Sequence, residues 1–173
     1  MSREFMRSSL DGNTGAAERQ IGLSLPTRWP GEHERLLSLR LEQLEADPTL
    51  EDWLVRAMTL RSARIMIGHI GFHTGPAPEY LEPYSPGGIE VGFTVYPSYR
   101  RCGYAREACA GLLRWAAEEQ GVEKLVMTIQ PSNVPSLALA ASLGFVRIGS
   151  HIDEVDGVED IFECRRGELK FGK

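Results

Sequence analysis

The stretch Arg100-Arg101-Cys102-Gly103-Tyr104-Ala105 joins an apolar run, Ile89 to Tyr96, to a segment from Tyr104 to Gln120. In that segment Ala105, Ala108, Cys109, Leu112, Trp115 and Ala116 share one helical face. Pro97 closes the first element and Gly121 stops the second. The pattern predicts strand, tight turn and helix. Such a turn aims its backbone N–H groups and the positive end of the helix at one point, which suits a phosphate. Gly103 lets the backbone approach closely, and Arg100, Arg101 and Arg106 add cations that oppose the helix dipole unless an anion is bound. Arginines at a helix start are also compatible with plain solvation, so their spacing matters. Neither G-x-x-x-x-G-K-[ST] nor G-x-G-x-x-G occurs. The pattern that fits is [QR]-x-x-G-x-[GA], through Arg100, Gly103 and Ala105.

Upstream, Asp11-Gly12-Asn13-Thr14-Gly15 reads as a loop, with at most a short strand before it. From Pro30, Leu36, Leu37, Leu41 and Leu44 fall at helical spacing until Asp47-Pro48 ends the run. Trp53 to Leu60 and Ile65 to Phe72 predict a hairpin around Arg61-Ser62-Ala63-Arg64. Pro76, Pro78, Pro83 and Pro86 make Thr74 to Gly88 a surface loop, because proline lacks the N–H that a strand ladder needs. Downstream, Leu125 to Ile129 is a short strand. Asn133 is placed to cap a helix through Leu143, with Pro135 in its first turn and Gly144 past its end. Phe145 to Val155 and Val158 to Arg165 flank Asp156-Gly157, which favours a tight hairpin turn.

The chain has 173 residues, 42% hydrophobic and 25% charged, enough for one packed domain over 1–173. A net charge of -5 with no basic face argues against a nucleic-acid partner or an anionic membrane. No apolar stretch approaches bilayer length and the first residues lack a signal-peptide core, so a cytoplasmic location is expected. Cys102, Cys109 and Cys164 lack metal-ligand or C-x-x-C spacing. His33, His69, His73 and His151 show no H-E-x-x-H pattern, so no metal is expected. His69 and His73 share a strand face by parity and could line a cleft, as could Trp29, Trp53, Tyr80 and Tyr84.

Three further stretches keep company with the turn: Glu90-Val91-Gly92-Phe93-Thr94-Val95 before it, Tyr104-Ala105-Arg106-Glu107-Ala108 after it, then Asn133-x-x-Ser136 and Gly144-Phe145. In this order, from about Trp53 to Arg165, the sequence resembles the Gcn5-related N-acetyltransferase (GNAT) superfamily, in its branch similar to ribosomal-protein alanine acetyltransferases. The resemblance implies an α+β (mixed α/β) fold, a mostly antiparallel mixed sheet of about six or seven strands flanked by about four helices. It also implies an acetyl-CoA donor, with 1–50 as the N-terminal and acceptor-lid region and 51–165 as the acyl-CoA-binding core. The diphosphate would lie on Arg100, Arg101, Cys102, Gly103, Tyr104 and Ala105. The pantetheine arm would pair with the main chain near Thr94 and Val95, between splayed strands Ile89 to Tyr96 and Leu125 to Ile129, with Asn133 and Ser136 beside it. Helix capping accounts for Asn133 equally well.

The implied chemistry is attack of an amine on a thioester, with a peptide or protein N-terminus or a small-molecule amine as acceptor. An α-amine with a pKa of about 8 needs less help in losing its proton than a lysine at about 10.4. By resemblance Glu90 is the base that takes this proton, directly or through water, against a structural role as a salt-bridged strand-edge glutamate. Glu107 suits the helix dipole instead. Many members carry a tyrosine seven residues after the Asn133 position to protonate the departing thiolate, where this chain has Ala140. Ser136 or water is the substitute. The missing tyrosine keeps a second function open, a non-catalytic acyl-CoA-binding or sensor domain, and a nucleotide-binding protein using the same helix end is a third. The short N-terminal region predicts a sheet edge covered by a loop or by a partner in a homodimer.

Overall fold

The computed structural model describes residues 1–153 and 157–171. Six strands, β1 (Arg56–Leu60), β2 (Ile65–Phe72), β3 (Ile89–Val95), β4 (Lys124–Ile129), β5 (Val146–Asp153) and β6 (Gly157–Arg165), form a mixed sheet in the order β1-β2-β3-β4-β6-β5. Five α-helices accompany them: α1 (Arg3–Leu10), α2 (Thr14–Ile21), α3 (Glu34–Ala46), α4 (Tyr104–Arg114) and α5 (Val134–Leu143). This is the mixed α/β architecture that the resemblance implied. The residues cluster into two compact units, Met1–Gly71 with Phe93–Arg100, and Phe72–Gly92 with Arg101–Lys173.

In the first unit, β1 and β2 form the expected antiparallel hairpin, with Arg56 opposite Ile70 and Leu60 opposite Ile65. The region before Asp11, expected to hold at most a short strand, is helix α1. Ser2 caps it by accepting from the Phe5 N–H, and Phe5, Met6 and Ser9 are buried along it. The expected loop at 11–15 is short, because Asn13 accepts from the Ala16 N–H and starts α2 at once. Ser9 Oγ accepts from Trp29 Nε1 at 2.8 Å, fixing Trp29 in a core with Phe5, Leu37, Leu44 and Met66. Ser24 makes a single parallel bridge to Ile65. Gly68 is required by close packing, since a Cβ there would lie 2.2 Å from the Thr94 carbonyl oxygen.

In the second unit, β3 starts in parallel pairing with β4, Ile89 opposite Leu125 and Glu90 opposite Val126. β4 is antiparallel to β6 from Lys124–Arg165 to Ile129–Asp160. β6 returns antiparallel to β5, whose Asp153 faces Gly157. The hairpin is as expected up to Asp153 and from Gly157, while Glu154 and Val155 of the expected strand and Asp156 of its turn lie outside the described residues. The Thr74 to Gly88 loop lies at the surface apart from Leu81, packed with Val126 and Ile161, the buried Ser85, whose hydroxyl donates to Glu163 Oε2 at 2.6 Å, and the buried Gly88 at its end. Helix α4 passes into a π-helical segment over Trp115–Glu119, a change of period that the sequence pattern does not reveal. Asn133 caps α5, and Gly144 ends it at φ 98°.

Candidate active site

Glu90 lies near the start of β3 yet is only 4% exposed. Burial favours a neutral carboxyl, and the surrounding donors oppose that. Tyr80, on the proline-rich loop, donates its hydroxyl to Oε2 at 2.9 Å. His73, immediately after β2, holds Nδ1 3.2 Å from the same oxygen. Thr128 of β4 donates to Oε1. Burial pushes the carboxyl up, but the His73 hydrogen bond and charge, with Thr128 and Tyr80, outweigh it and leave the pKa below the ordinary 4.5. Glu90 is therefore a buried carboxylate held by protein hydrogen bonds.

His73 is placed by backbone as well as side chain. Its N–H donates to the Glu90 carbonyl at 2.9 Å, so the two residues are neighbours across β2 and β3. A Cβ on Gly92 would fall 2.5 Å from His73 Nε2, so the imidazole occupies the space over that glycine. Parity was the sequence signal for part of this group: Thr128 lies two residues beyond Val126, the partner of Glu90, and so shares its face. Tyr80 carried no such signal, since a loop has no period.

The turn keeps the predicted strand-to-helix placement. Arg101 is left-handed at φ 63° and Gly103 at φ 83°, and Gly103 starts α4. No side chain caps this helix, whereas Ser2, Asn13 and Asn133 cap α1, α2 and α5. The first intrahelical bond runs from the Glu107 N–H to the Gly103 carbonyl at 3.1 Å. Arg101, Cys102 and Gly103 are exposed, and Tyr104 and Ala105 half-buried.

Arg106, expected among the cations around the turn, is used elsewhere. Its guanidinium donates to the Ser142 carbonyl and hydroxyl and to the Lys170 carbonyl, tying α4 to the end of α5. Arg100 Nε donates to the Val95 carbonyl at 2.9 Å. Thr94 is half-buried and Val95 is 8% exposed. In α5, Asn133 Oδ1 accepts from the Ser136 N–H at 3.3 Å, Ser136 is half-buried, and Ala140 is fully buried. Glu90 and Ser136 thus have separate sets of partners.

His69 is not beside an open cleft. It is 6% exposed and faces the rings of His33, at 4.8 Å, and Tyr96, at 6.2 Å. Burial, with His33 and Arg40 nearby, pulls its pKa down to about 4. Trp29 is core, and Tyr84 packs edge-on against His151 at 5.9 Å.

A family model described as the acetyltransferase (GNAT) domain matches residues 16–146. The chain belongs to the GNAT acetyltransferase family. It is 31% identical over 90 residues to the uncharacterised N-acetyltransferase YnaD of Bacillus subtilis (strain 168), covering 52% of this chain and 48% of that protein. The matches of this GNAT chain span 39–48% of the length of three curated relatives. Among solved structures, a GNAT-family acetyltransferase from Bacillus anthracis is 26% identical with TM-score 0.55, covering 66% of this chain and 67% of that one. The ribosomal-protein-S5-alanine acetyltransferase from Vibrio fischeri shares the fold at TM-score 0.65 and 15% identity, covering 96% and 92%. Among the described residues no helix is long and apolar enough to cross a membrane, and no cluster of His, Cys, Asp and Glu is arranged to hold a metal.

Proposed function

We propose that this chain transfers the acetyl group of acetyl-CoA to a primary amine, either a peptide N-terminus or a small-molecule amine, by direct attack of the amine on the thioester. The observation that carries the reading is the start of α4. A left-handed Gly103 leaves the helix N-terminus without a side-chain cap, in a turn that carries the family's spacing. The first-turn N–H groups lack intrahelical acceptors, and a diphosphate supplies them with charge-assisted ones. Arg100, Arg101, Cys102, Gly103, Tyr104 and Ala105 would hold it, with Arg106 excluded by its bonds to Ser142 and Lys170.

The residues proposed for the pantetheine arm also fit. The Tyr96 N–H donates to Ile67 on β2, so by strand alternation the Val95 N–H points to the other side of β3, where an extended arm can add like a strand. Asn133 spends its Oδ1 on the cap and presents its amide NH₂ as a donor. Acetyl-CoA supplies the activated acyl group, and the chain supplies orientation and a proton acceptor in the region of Glu90.

One observation favours a binding-only domain: Ala140 is fully buried, so no acid stands where many family members carry a tyrosine. A free thiol departs tolerably as thiolate at its pKa of about 8.5, so that acid is not essential. Thiol release from acetyl-CoA, followed over α-amino peptides, polyamines and amino acids, separates the two. Release matched by acetylated amine supports transfer, and acetyl-CoA binding without acetylation of any amine contradicts it.

A further inference from the structure

Resting on the acetyltransferase reading, we infer that Arg106 is a positioning residue for the acyl donor: it braces the first turn of α4, proposed to hold the diphosphate, against the end of α5. In that turn the N–H groups of Tyr104, Ala105 and Arg106 precede the first intrahelical bond, which Glu107 donates to the Gly103 carbonyl at 3.1 Å. They are the donors that an anion at this helix end meets. Arg106 carries one of them on its main chain while its side chain reaches away to α5.

That side chain completes the end of α5. A helix leaves its last four carbonyls without intrahelical partners. Here the Phe145 N–H donates to the Ala140 carbonyl at 3.0 Å, the Gly144 N–H to Ala141 at 3.2 Å and the Lys170 N–H to Leu143 at 3.0 Å. The Ser142 carbonyl accepts from Arg106 at 3.3 Å. The same guanidinium donates to the Ser142 hydroxyl, which itself donates to the Leu139 carbonyl at 2.7 Å, and to the Lys170 carbonyl at 3.4 Å. A cation in the first turn of α4 opposes that helix's dipole, whereas the C-terminal end of α5 favours one. The guanidinium fork therefore carries the charge from an unfavourable helix end to a favourable one.

The segment after β6 closes the brace. Lys170 gives its N–H to α5 and its carbonyl to Arg106, and the next residue, Phe171, lies under Arg114, the last residue of α4, whose guanidinium carbon is 4.5 Å from the ring centroid. This segment thus holds α4 at its first turn and at its last. Helix α5 begins at the Asn133 cap, proposed to stand beside the acyl arm, so the brace joins the helix of the diphosphate turn to the helix of the arm contact. A first turn free to shift would turn its N–H groups off the diphosphate, a loss felt in donor binding rather than in the bond-making step.

The test compares the KM for acetyl-CoA with that for acetyl-pantetheine, which keeps the thioester arm and lacks the diphosphate. It uses the intact chain, Arg106→Ala, Arg106→Lys, Ser142→Ala and the double variant of Arg106→Ala with Ser142→Ala, with the Kd of coenzyme A measured on each by calorimetry. Arg106→Ala is expected to raise the KM for acetyl-CoA and the Kd of coenzyme A by about 5- to 10-fold, with kcat and the KM for acetyl-pantetheine within about 2-fold. Arg106→Lys, whose ammonium cannot reproduce the fork to Ser142 and Lys170, should fall between, and it carries the test if Arg106→Ala does not fold. Ser142→Ala should raise the same KM by about 2- to 3-fold, and the double variant should match Arg106→Ala, because both changes break one interaction. An unchanged KM for acetyl-CoA in the Arg106 variants would overturn the inference, as would an equal rise for both donors, which assigns the residue to general stability. Additive effects in the double variant would also overturn it, since Arg106 would then act on the donor without the brace. If the unaltered chain binds no coenzyme A, the function reading fails and this inference fails with it. If it binds coenzyme A without acetylating any amine, transfer is contradicted and the coenzyme A affinities alone decide the brace. A chain that binds coenzyme A and is indifferent to Arg106 sinks this inference alone.

Discussion

The Tyr80 hydroxyl donates to Oε2 of Glu90 at 2.9 Å, linking an exposed residue of the proline-rich loop to a buried carboxylate. A hydrogen bond to a charged group contributes about 1.5–3 kcal/mol, and the partial exposure of Tyr80 places this one at the lower end. Tyr80→Phe should therefore cost about 1–2 kcal/mol at neutral pH in urea unfolding. The folded pKa of Glu90 lies below the ordinary 4.5, so its contribution is complete above that value and is lost as pH falls through the folded one. The gap between Tyr80→Phe and the parent chain should shrink below pH 4.5. A gap unchanged by acid would assign the effect to packing.

His69 predicts a second pH effect of similar form. Its folded pKa of about 4 lies below the ordinary 6.5, so the unfolded chain takes up the proton first as pH falls. Stability is complete above 6.5 and declines from there to about 4, by up to roughly 3 kcal/mol. In His69→Phe, which keeps an aromatic ring against His33 and Tyr96, the stability curve over that window should flatten. Equal slopes in the two proteins would show that His69 is not the group responsible.

Two glycines of the α4 region should respond in opposite senses to alanine. Gly103 has φ 83°, and no heavy atom lies within 4 Å of a Cβ built there, so Gly103→Ala carries only backbone strain of about 1–2 kcal/mol. Gly111 sits inside α4, also with open space around a Cβ, and Gly111→Ala should stabilise by about 0.5–1 kcal/mol. Thermal melts of the two variants check the pair. Only Gly103→Ala should also weaken acetyl-CoA binding.

Gly92→Ala tests the place of the imidazole without removing it. The new Cβ would meet His73 Nε2 at 2.5 Å, and the ring must turn away. Turning the ring away breaks its contact with Glu90, so Gly92→Ala should cost about 1–3 kcal/mol in urea unfolding at neutral pH. An unchanged unfolding midpoint would mean that the ring position over Gly92 is immaterial.

Most of the fold was legible because its signals are local. Leu36, Leu37, Leu41 and Leu44 gave α3 by spacing, Gly121 and Gly144 marked helix ends, and Asn133 with Pro135 announced α5. Helices α1 and α2 were missed because each is only 8 residues long and rests on a cap and tertiary burial, with Phe5 and Met6 packed against residues far along the chain. In the candidate site, the turn is a sequence-local object and was read in place. The environment of Glu90 is not local: Tyr80, His73 and Thr128 arrive from a loop and two strands, and together they convert an apparent strand-edge carboxylate into a buried anion. The separate use of Arg106 likewise depends on Ser142 and Lys170, which no spacing connects to it.

In the proposed function the turn from Arg100 to Ala105 selects a coenzyme A donor. Thermal unfolding with acetyl-CoA, coenzyme A and ATP at matched concentrations tests it most directly. At about a hundred times its dissociation constant, acetyl-CoA should raise stability by about 2.7 kcal/mol, coenzyme A should act similarly, and ATP should do little. Stabilisation by ATP with none by acetyl-CoA or coenzyme A would contradict the account.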